Sequence, residues 1–116
     1  MNDRPRSSLF SYGTLQLPQV QLEKYGRLLE GVADALPCYR LERLEITDAE
    51  VLRLSGKSDH PIARHSGVPS DRVQGVVYLL NDSELAATDA YEVDPYRRVE
   101  VELESGRRAF AYVLGD

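Results

Sequence analysis

The sequence has one cysteine, one methionine and no tryptophan. A lone thiol, Cys38, excludes an intrachain disulfide framework and a cysteine-rich zinc site, and it suits a reducing cytoplasmic compartment. The histidines, His60 and His65, are five positions apart, and Pro61 between them spoils a helix. That spacing does not fit a helical two-histidine zinc pattern, so no metal is expected there. No G-x-G-x-x-G, no P-loop and no G-x-S-x-G occurs, which gives nucleotide and serine-hydrolase readings no support. Long hydrophobic runs are also missing. The longest uncharged stretch, 7–22, carries Pro18, glutamines and serines and would not span a bilayer. The start, with Asp3, Arg4, Pro5 and Arg6, lacks the apolar core of a secretion signal. Positive charge is in deficit, 14 basic residues against 19 acidic, for a net charge of −5. A nucleic-acid partner is therefore not expected, nor is an anionic membrane.

What is present is ordinary for a globule. Apolar residues make up 42% and charged residues 28% of 116 positions. That length predicts a single domain, 1–116, with 1–6 frayed. No repeat or linker divides it.

The elements follow from periodicity and turn residues. Ser7 to Tyr12 reads as a strand broken at Gly13. Pro18 to Arg27 reads as a short helix with proline in its first turn. Leu28 to Ile46 alternates like strands, with a break at Ala35–Pro37, and Val51–Leu54 is a short strand. Ser55 to Ser70, with its glycines and prolines, reads as an irregular loop. Val73 to Leu80 is the most apolar strand and is expected to be central, with Gly75 marking a bulge or a close backbone approach. Asn81 then caps a helix, with Glu84 reaching back to it, and the helix must stop before Pro95. The last third is a hairpin. A two-residue Ser105–Gly106 turn would set Val101 opposite Phe110 and Val99 opposite Tyr112.

Two places could carry chemistry. Glu92 shares a helix face with Leu85, so it can point inward at the last turn of its helix. Burial and the negative end of the helix dipole would raise its pKa toward that of a general acid/base. The same glutamate could equally be a surface residue or an ion-pair partner of Arg97 or Arg98. The second place is Tyr12-Gly13-Thr14-Leu15, where a turn after a strand can present backbone N–H groups to a carboxylate, or can simply end the strand. Cys38 reads as an inert thiol. Seven tyrosines against two phenylalanines hint at a polar cavity.

Together these pieces resemble the gamma-glutamylcyclotransferase-like family. Leu9-Phe-Ser-Tyr-Gly-Thr-Leu15 is similar to its strand and Y-G-T-L loop, and Val73-Gln-Gly-Val-Val-Tyr78 to its central strand. Leu85-Ala-Ala-Thr-Asp-Ala-Tyr-Glu92 with Tyr96-Arg-Arg-Val-Glu-Val101 resembles its L-D-x-Y-E … Y-x-R-x-x-V-x-V stretch. The resemblance implies an α+β fold, a small mixed sheet curved into a barrel-like structure with a few short helices. It implies a small-molecule gamma-glutamyl substrate held by Tyr12, Gly13, Thr14 and Leu15, with Glu92 as general acid/base. It implies release of 5-oxoproline with no cofactor. Gln16-Leu-Pro-Gln19 and His60-Pro-Ile-Ala63 depart from the family pattern where substrate would be read. A binding protein using the same cavity without turnover, or an interaction module working through strand edges, are the other functions the residues allow.

Overall fold

A computed structural model of the protein describes residues 7–45, 59–91 and 96–114. Within them lie β1 (Ser7–Ser11), α1 (Pro18–Tyr25), β2 (Gly31–Pro37), β3 (Tyr39–Glu45), β4 (Asp59–His65), β5 (Arg72–Leu80), α2 (Asp82–Tyr91), β6 (Tyr96–Glu102) and β7 (Arg108–Leu114). The α+β class is as expected. No helix among the described residues is long and apolar enough to cross a membrane. The strand expected at Val51–Leu54 and the frayed start at 1–6 lie outside the described residues, as does the helix stop before Pro95.

Five strands form one sheet in the order β2-β5-β1-β7-β6, and β3 pairs with β4 in a second. The β1–β7 pair is parallel and the others are antiparallel. The middle position belongs to β1, not to the 73–80 strand. Leu9 and Phe10 point to opposite faces and each is 1% exposed, as a centre strand requires. β5 lies one place from the edge and leaves Leu79 half exposed.

The large sheet curls. The Ala35 carbonyl on edge strand β2 accepts the Glu104 amide at 2.8 Å, in the turn beyond β6. Beside it, the Asp34 carboxylate accepts the Ser105 hydroxyl at 2.5 Å and the Ser105 amide at 3.2 Å. The strip enclosed by this curl holds Phe10, Leu36, Val73, Val77, Leu103, Ala109, Ala111 and Val113, with Ala63 of β4 against them. The outer face carries Leu9, Leu80 and Tyr112 and is covered by Leu15, Val20 and parts of both helices. Gly75 fits the close approach read from the sequence. A Cβ there would lie 2.5 Å from the Ser11 carbonyl oxygen and 2.6 Å from the Phe10 ring.

Four expectations change. First, β2 runs through Ala35–Pro37, and the chain turns at Cys38 instead, where φ is +68°. Pro37 is tolerated because β2 is an edge strand. Second, part of the Ser55–Ser70 loop is strand β4. Pro61 does not break β4: it stays in register opposite Arg43 of β3, and its carbonyl accepts the Tyr96 hydroxyl at 2.7 Å. Third, the hairpin register is one residue off: Val101 faces Ala109 and Val99 faces Ala111. The turn has three residues, not two. The Gly106 amide donates to the Leu103 carbonyl, the Leu103 amide donates to the Arg107 carbonyl, and Gly106 takes φ +90°. That is a type I turn with a glycine bulge, and the added residue turns Phe110 and Tyr112 to the helix side. Fourth, α1 ends at Tyr25 rather than Arg27, with Gly26 at φ +71° donating to the Leu22 carbonyl.

The capping box on α2 is as read. The Asn81 side chain accepts the Glu84 amide at 2.8 Å, and the Glu84 carboxylate accepts the Asn81 amide at 3.0 Å.

Candidate functional site

The Tyr12–Leu15 segment leaves the end of the centre strand and enters a 3-10 turn, Thr14–Gln16. The Gln16 amide closes that turn on the Gly13 carbonyl at 3.1 Å, and the Gln16 side chain donates to the Ser11 carbonyl at 3.2 Å. Gly13 does not occupy the left-handed region, which among glycines holds only Gly26, Gly67 and Gly106 of the described residues. Among the described residues, a Cβ at Gly13 would meet nothing nearer than the Pro61 ring, at 4.0 Å. So the turn does not rest on a left-handed glycine at position 13. Among the described residues, a methyl group there would just touch the Pro61 ring.

The four loop residues play different parts. Leu15 is 4% exposed and lies in the outer core, so only its backbone can meet a ligand. Its carbonyl accepts the buried Gln21 side chain at 2.8 Å, and the same Gln21 accepts the Leu29 amide at 2.9 Å. Gln21 thereby pins the far end of the loop from the first turn of α1. Tyr12 pins the near end. Its hydroxyl donates to the Tyr112 carbonyl on β7 at 2.5 Å and accepts the Ala63 amide of β4 at 2.9 Å. Its ring packs on the inner core beside Phe10. One phenol therefore joins the centre strand, the neighbouring β7 and the small second sheet.

The second predicted place, Glu92, lies outside the described residues, which resume at Tyr96. The helix leading to it does show the expected inward face: Thr88 is fully buried and Leu85 packs on the outer core. The Thr88 hydroxyl donates to the Glu84 carbonyl at 2.8 Å and meets the Tyr25 hydroxyl at 2.5 Å. In the last turn of the helix, Asp89 accepts the Tyr112 hydroxyl at 2.5 Å and pairs with Arg98 at 3.4 Å. The Arg98 guanidinium lies 4.9 Å over the Phe110 ring. Arg98, one of the ion-pair partners weighed for Glu92, thus has a carboxylate of its own.

Tyr112 and Asp89 are the residues that the sequence did not bring forward. The surplus of tyrosine was the available signal. The hairpin misregister hid its meaning, because it placed Tyr112 opposite Val99 rather than opposite Arg98 and beneath α2.

Elsewhere the polar groups answer one another. Arg72 and Glu104 pair at 2.6 Å in an open groove that also borders Asp34 and Gln74. Burial favours protonating Asp34, but hydrogen bonds from Ser105 and the Ala35 amide prevail and hold its carboxyl below the usual range. Among the described residues no three His, Cys, Asp or Glu side chains converge as metal ligands. The His65 ring stands edge-on to Tyr39, with centroids 5.1 Å apart.

A curled five-stranded sheet with two helices on its outer face and a turn at the end of its centre strand is a defined class of small α+β protein. The sequence model of the family described as gamma-glutamyl cyclotransferase, AIG2-like, matches residues 9–116, and the chain belongs to that family. A solution structure of an Arabidopsis thaliana protein is similar, with a TM-score of 0.71 and 25% identity, over 93% of this chain and 68% of that one. A Homo sapiens protein shares the fold with a TM-score of 0.72 at 19% identity, over 95% of this chain and 67% of its own. A structure bearing the name gamma-glutamyl cyclotransferase gives a TM-score of 0.70 at 18% identity, again over 95% and 67%. The chain thus spans about two thirds of the length of these structures. None of the curated proteins matches it in sequence.

Proposed function

We propose that the protein is a gamma-glutamylcyclotransferase-type enzyme acting on a small-molecule gamma-glutamyl amide. The alpha-amine of the glutamyl group attacks its own gamma-carbonyl. A C–N bond closes a five-membered ring, the amide C–N bond breaks, and 5-oxoproline and an amine leave. Both reacting groups belong to one molecule, so the protein's main task is to hold the substrate folded on itself. Glu92, as carboxylate, takes the proton lost by the attacking ammonium and returns it to the departing nitrogen. Backbone groups of Gly13, Thr14 and Leu15 hold the glutamyl carboxylate or oppose charge on the tetrahedral oxygen. Tyr12 belongs to the same loop.

The observation that carries this reading is family membership over nearly the whole chain, with the Y-G-T-L loop at the end of the centre strand. Gly13 supports it, since a glycine puts no side chain between the backbone of that turn and a ligand.

The test is release of 5-oxoproline from a panel of gamma-glutamyl compounds, followed by mass spectrometry, with wild type beside Glu92→Gln. Wild type should release it. The variant, nearly isosteric, should keep its fold and lose turnover by about a hundredfold or more, the usual scale of general acid–base catalysis. Full activity in Glu92→Gln would remove that residue from the chemistry. Binding of a gamma-glutamyl compound without release, by a folded wild type, would favour a binding protein that uses the same cavity.

A further inference from the structure

We propose that Tyr112 is a positioning residue that sets the Tyr12–Leu15 loop in register with the last turn of α2. The inference deepens the proposed function and rests on it for its kinetic arm. One residue reaches both places by different atoms. The Tyr112 carbonyl accepts the Tyr12 hydroxyl at 2.5 Å, and its own hydroxyl donates to Asp89 at 2.5 Å. Its ring is 7% exposed and packs in the outer core with Leu9 and Leu15. β7, which carries it, is held on one side by β1 and on the other by β6. A residue so fixed on a strand flanked on both sides is a rigid reference point for two less regular segments.

Two further facts favour positioning over incidental contact. A phenol has one proton, and that of Tyr12 goes to the Tyr112 carbonyl. Tyr12 therefore serves the loop by holding it, not by donating to a ligand through that hydroxyl. Asp89 sits in the final turn of α2, where the helix dipole disfavours an anion. Its side chain is 44% exposed, so helix stability alone gives no reason for an acid there. The Tyr112 hydroxyl and Arg98 supply the reason: the carboxylate is the hook by which the end of α2 is hung on β7 and β6. Glu92 follows Asp89 by three residues in the sequence. The proposed acid/base and the proposed binding loop are therefore both referred to Tyr112.

The experiment uses Tyr112→Phe, Asp89→Ala and Asp89→Asn in the full chain. Tyr112→Phe keeps the ring and removes only the hydroxyl. It should remain folded, with kcat for 5-oxoproline release lowered about ten- to a hundredfold, the scale of a small misplacement of reacting groups. KM should change by less than about threefold, since the loss falls on geometry reached in the transition state. Asp89→Ala should behave alike. Asp89→Asn still offers Tyr112 an oxygen and should recover most of kcat. A folded Tyr112→Phe with unchanged kcat overturns the proposal.

The second arm does not depend on turnover. In nitrogen–proton correlation spectra, Asp89→Ala should move the amides of Gly13 and Gln16, although Asp89 bonds to neither. Amides that stay in place while only α2 and β7 signals move would overturn the coupling. If wild type releases no 5-oxoproline, the functional reading fails, and these shifts alone decide whether Tyr112 links the two segments.

Discussion

The junction between the two helices and the turn after the centre strand are built on opposite terms. At the junction, the Glu84 carboxylate takes two bonds from the Arg27 guanidinium, at 2.7 and 2.9 Å, and a third from the Asn81 amide. Glu84 is 8% exposed, and each of its oxygens has a partner supplied by the chain. At the turn, Gly13 has no left-handed φ, and among the described residues there is room for a methyl group where a side chain would start. The fold demands the glutamate and does not demand the glycine. Where every group is answered from within, substitution should cost stability and nothing else. Where the chain leaves space and bare backbone, substitution should cost a ligand.

At the junction, the largest effect on stability is expected at Glu84→Ala. It removes the carboxylate half of the capping box, about 1 kcal/mol, and breaks a bidentate pair. The Arg27 side chain is 44% exposed, so solvent screens the pair and its share is about 1 kcal/mol rather than several. A loss of about 2 kcal/mol in urea unfolding is the expected sum, with 5-oxoproline release per folded molecule unchanged. A fall in turnover at full folding would break the comparison, because it would put the junction inside the site.

Acid should act on the same pair. The Arg27 hydrogen bonds hold the Glu84 carboxyl below its usual value, against burial that would raise it, with help from the Asn81 amide. For a carboxyl depressed in the folded state, the stabilisation is complete above the unfolded value, about 4.3. It is lost as pH falls from there through the folded value. Urea midpoints of wild type and Glu84→Gln should therefore differ at pH 6 and converge toward about pH 3. Parallel curves across that range would show that the pair adds no pH-dependent stability.

The same contrast explains how much was legible. The α2 cap is a local pattern, Asn81 to Glu84, three residues apart, and a local rule finds it. Gly75 was readable because a glycine inside an apolar strand has few other reasons to be there. The Arg27–Glu84 pair, 57 residues apart, and the Asp89–Tyr112 bond, 23 apart, depend on how helices lie on the sheet, which no local spacing encodes. A single extra turn residue at Gly106 reversed which face Tyr112 occupies. The β4 strand was missed for a related reason. Among the described residues, β4 pairs with β3 on one edge and takes phenols from Tyr12 and Tyr96 on the other, an arrangement visible only in three dimensions. At the site, the loop was found through its motif, while the anchors Gln21 and Tyr112 on either side of it are far along the chain or buried.

The smallest expected change in stability sharpens the contrast most. Gly13→Ala adds one methyl group, and the nearest protein atom is the Pro61 ring carbon at 4.0 Å, an ordinary contact. With no left-handed φ to strain, the variant should unfold within about 0.5 kcal/mol of wild type, and slight stabilisation is as reasonable as slight loss. Gly75→Ala is the internal control. There the methyl would lie 2.5 Å from the Ser11 carbonyl, and overpacking by backbone and ring should cost about 2–3 kcal/mol. If the open backbone at Gly13 is where substrate lies, the same harmless methyl should raise KM for a gamma-glutamyl compound about tenfold or more by filling that space. A stable Gly13→Ala with unchanged KM would mean that the space beside the loop is left empty by the reaction, and the carboxylate-binding role would have to move elsewhere. A strongly destabilised Gly13→Ala would erase the contrast itself, because it would show that the fold uses that glycine as it uses Gly75.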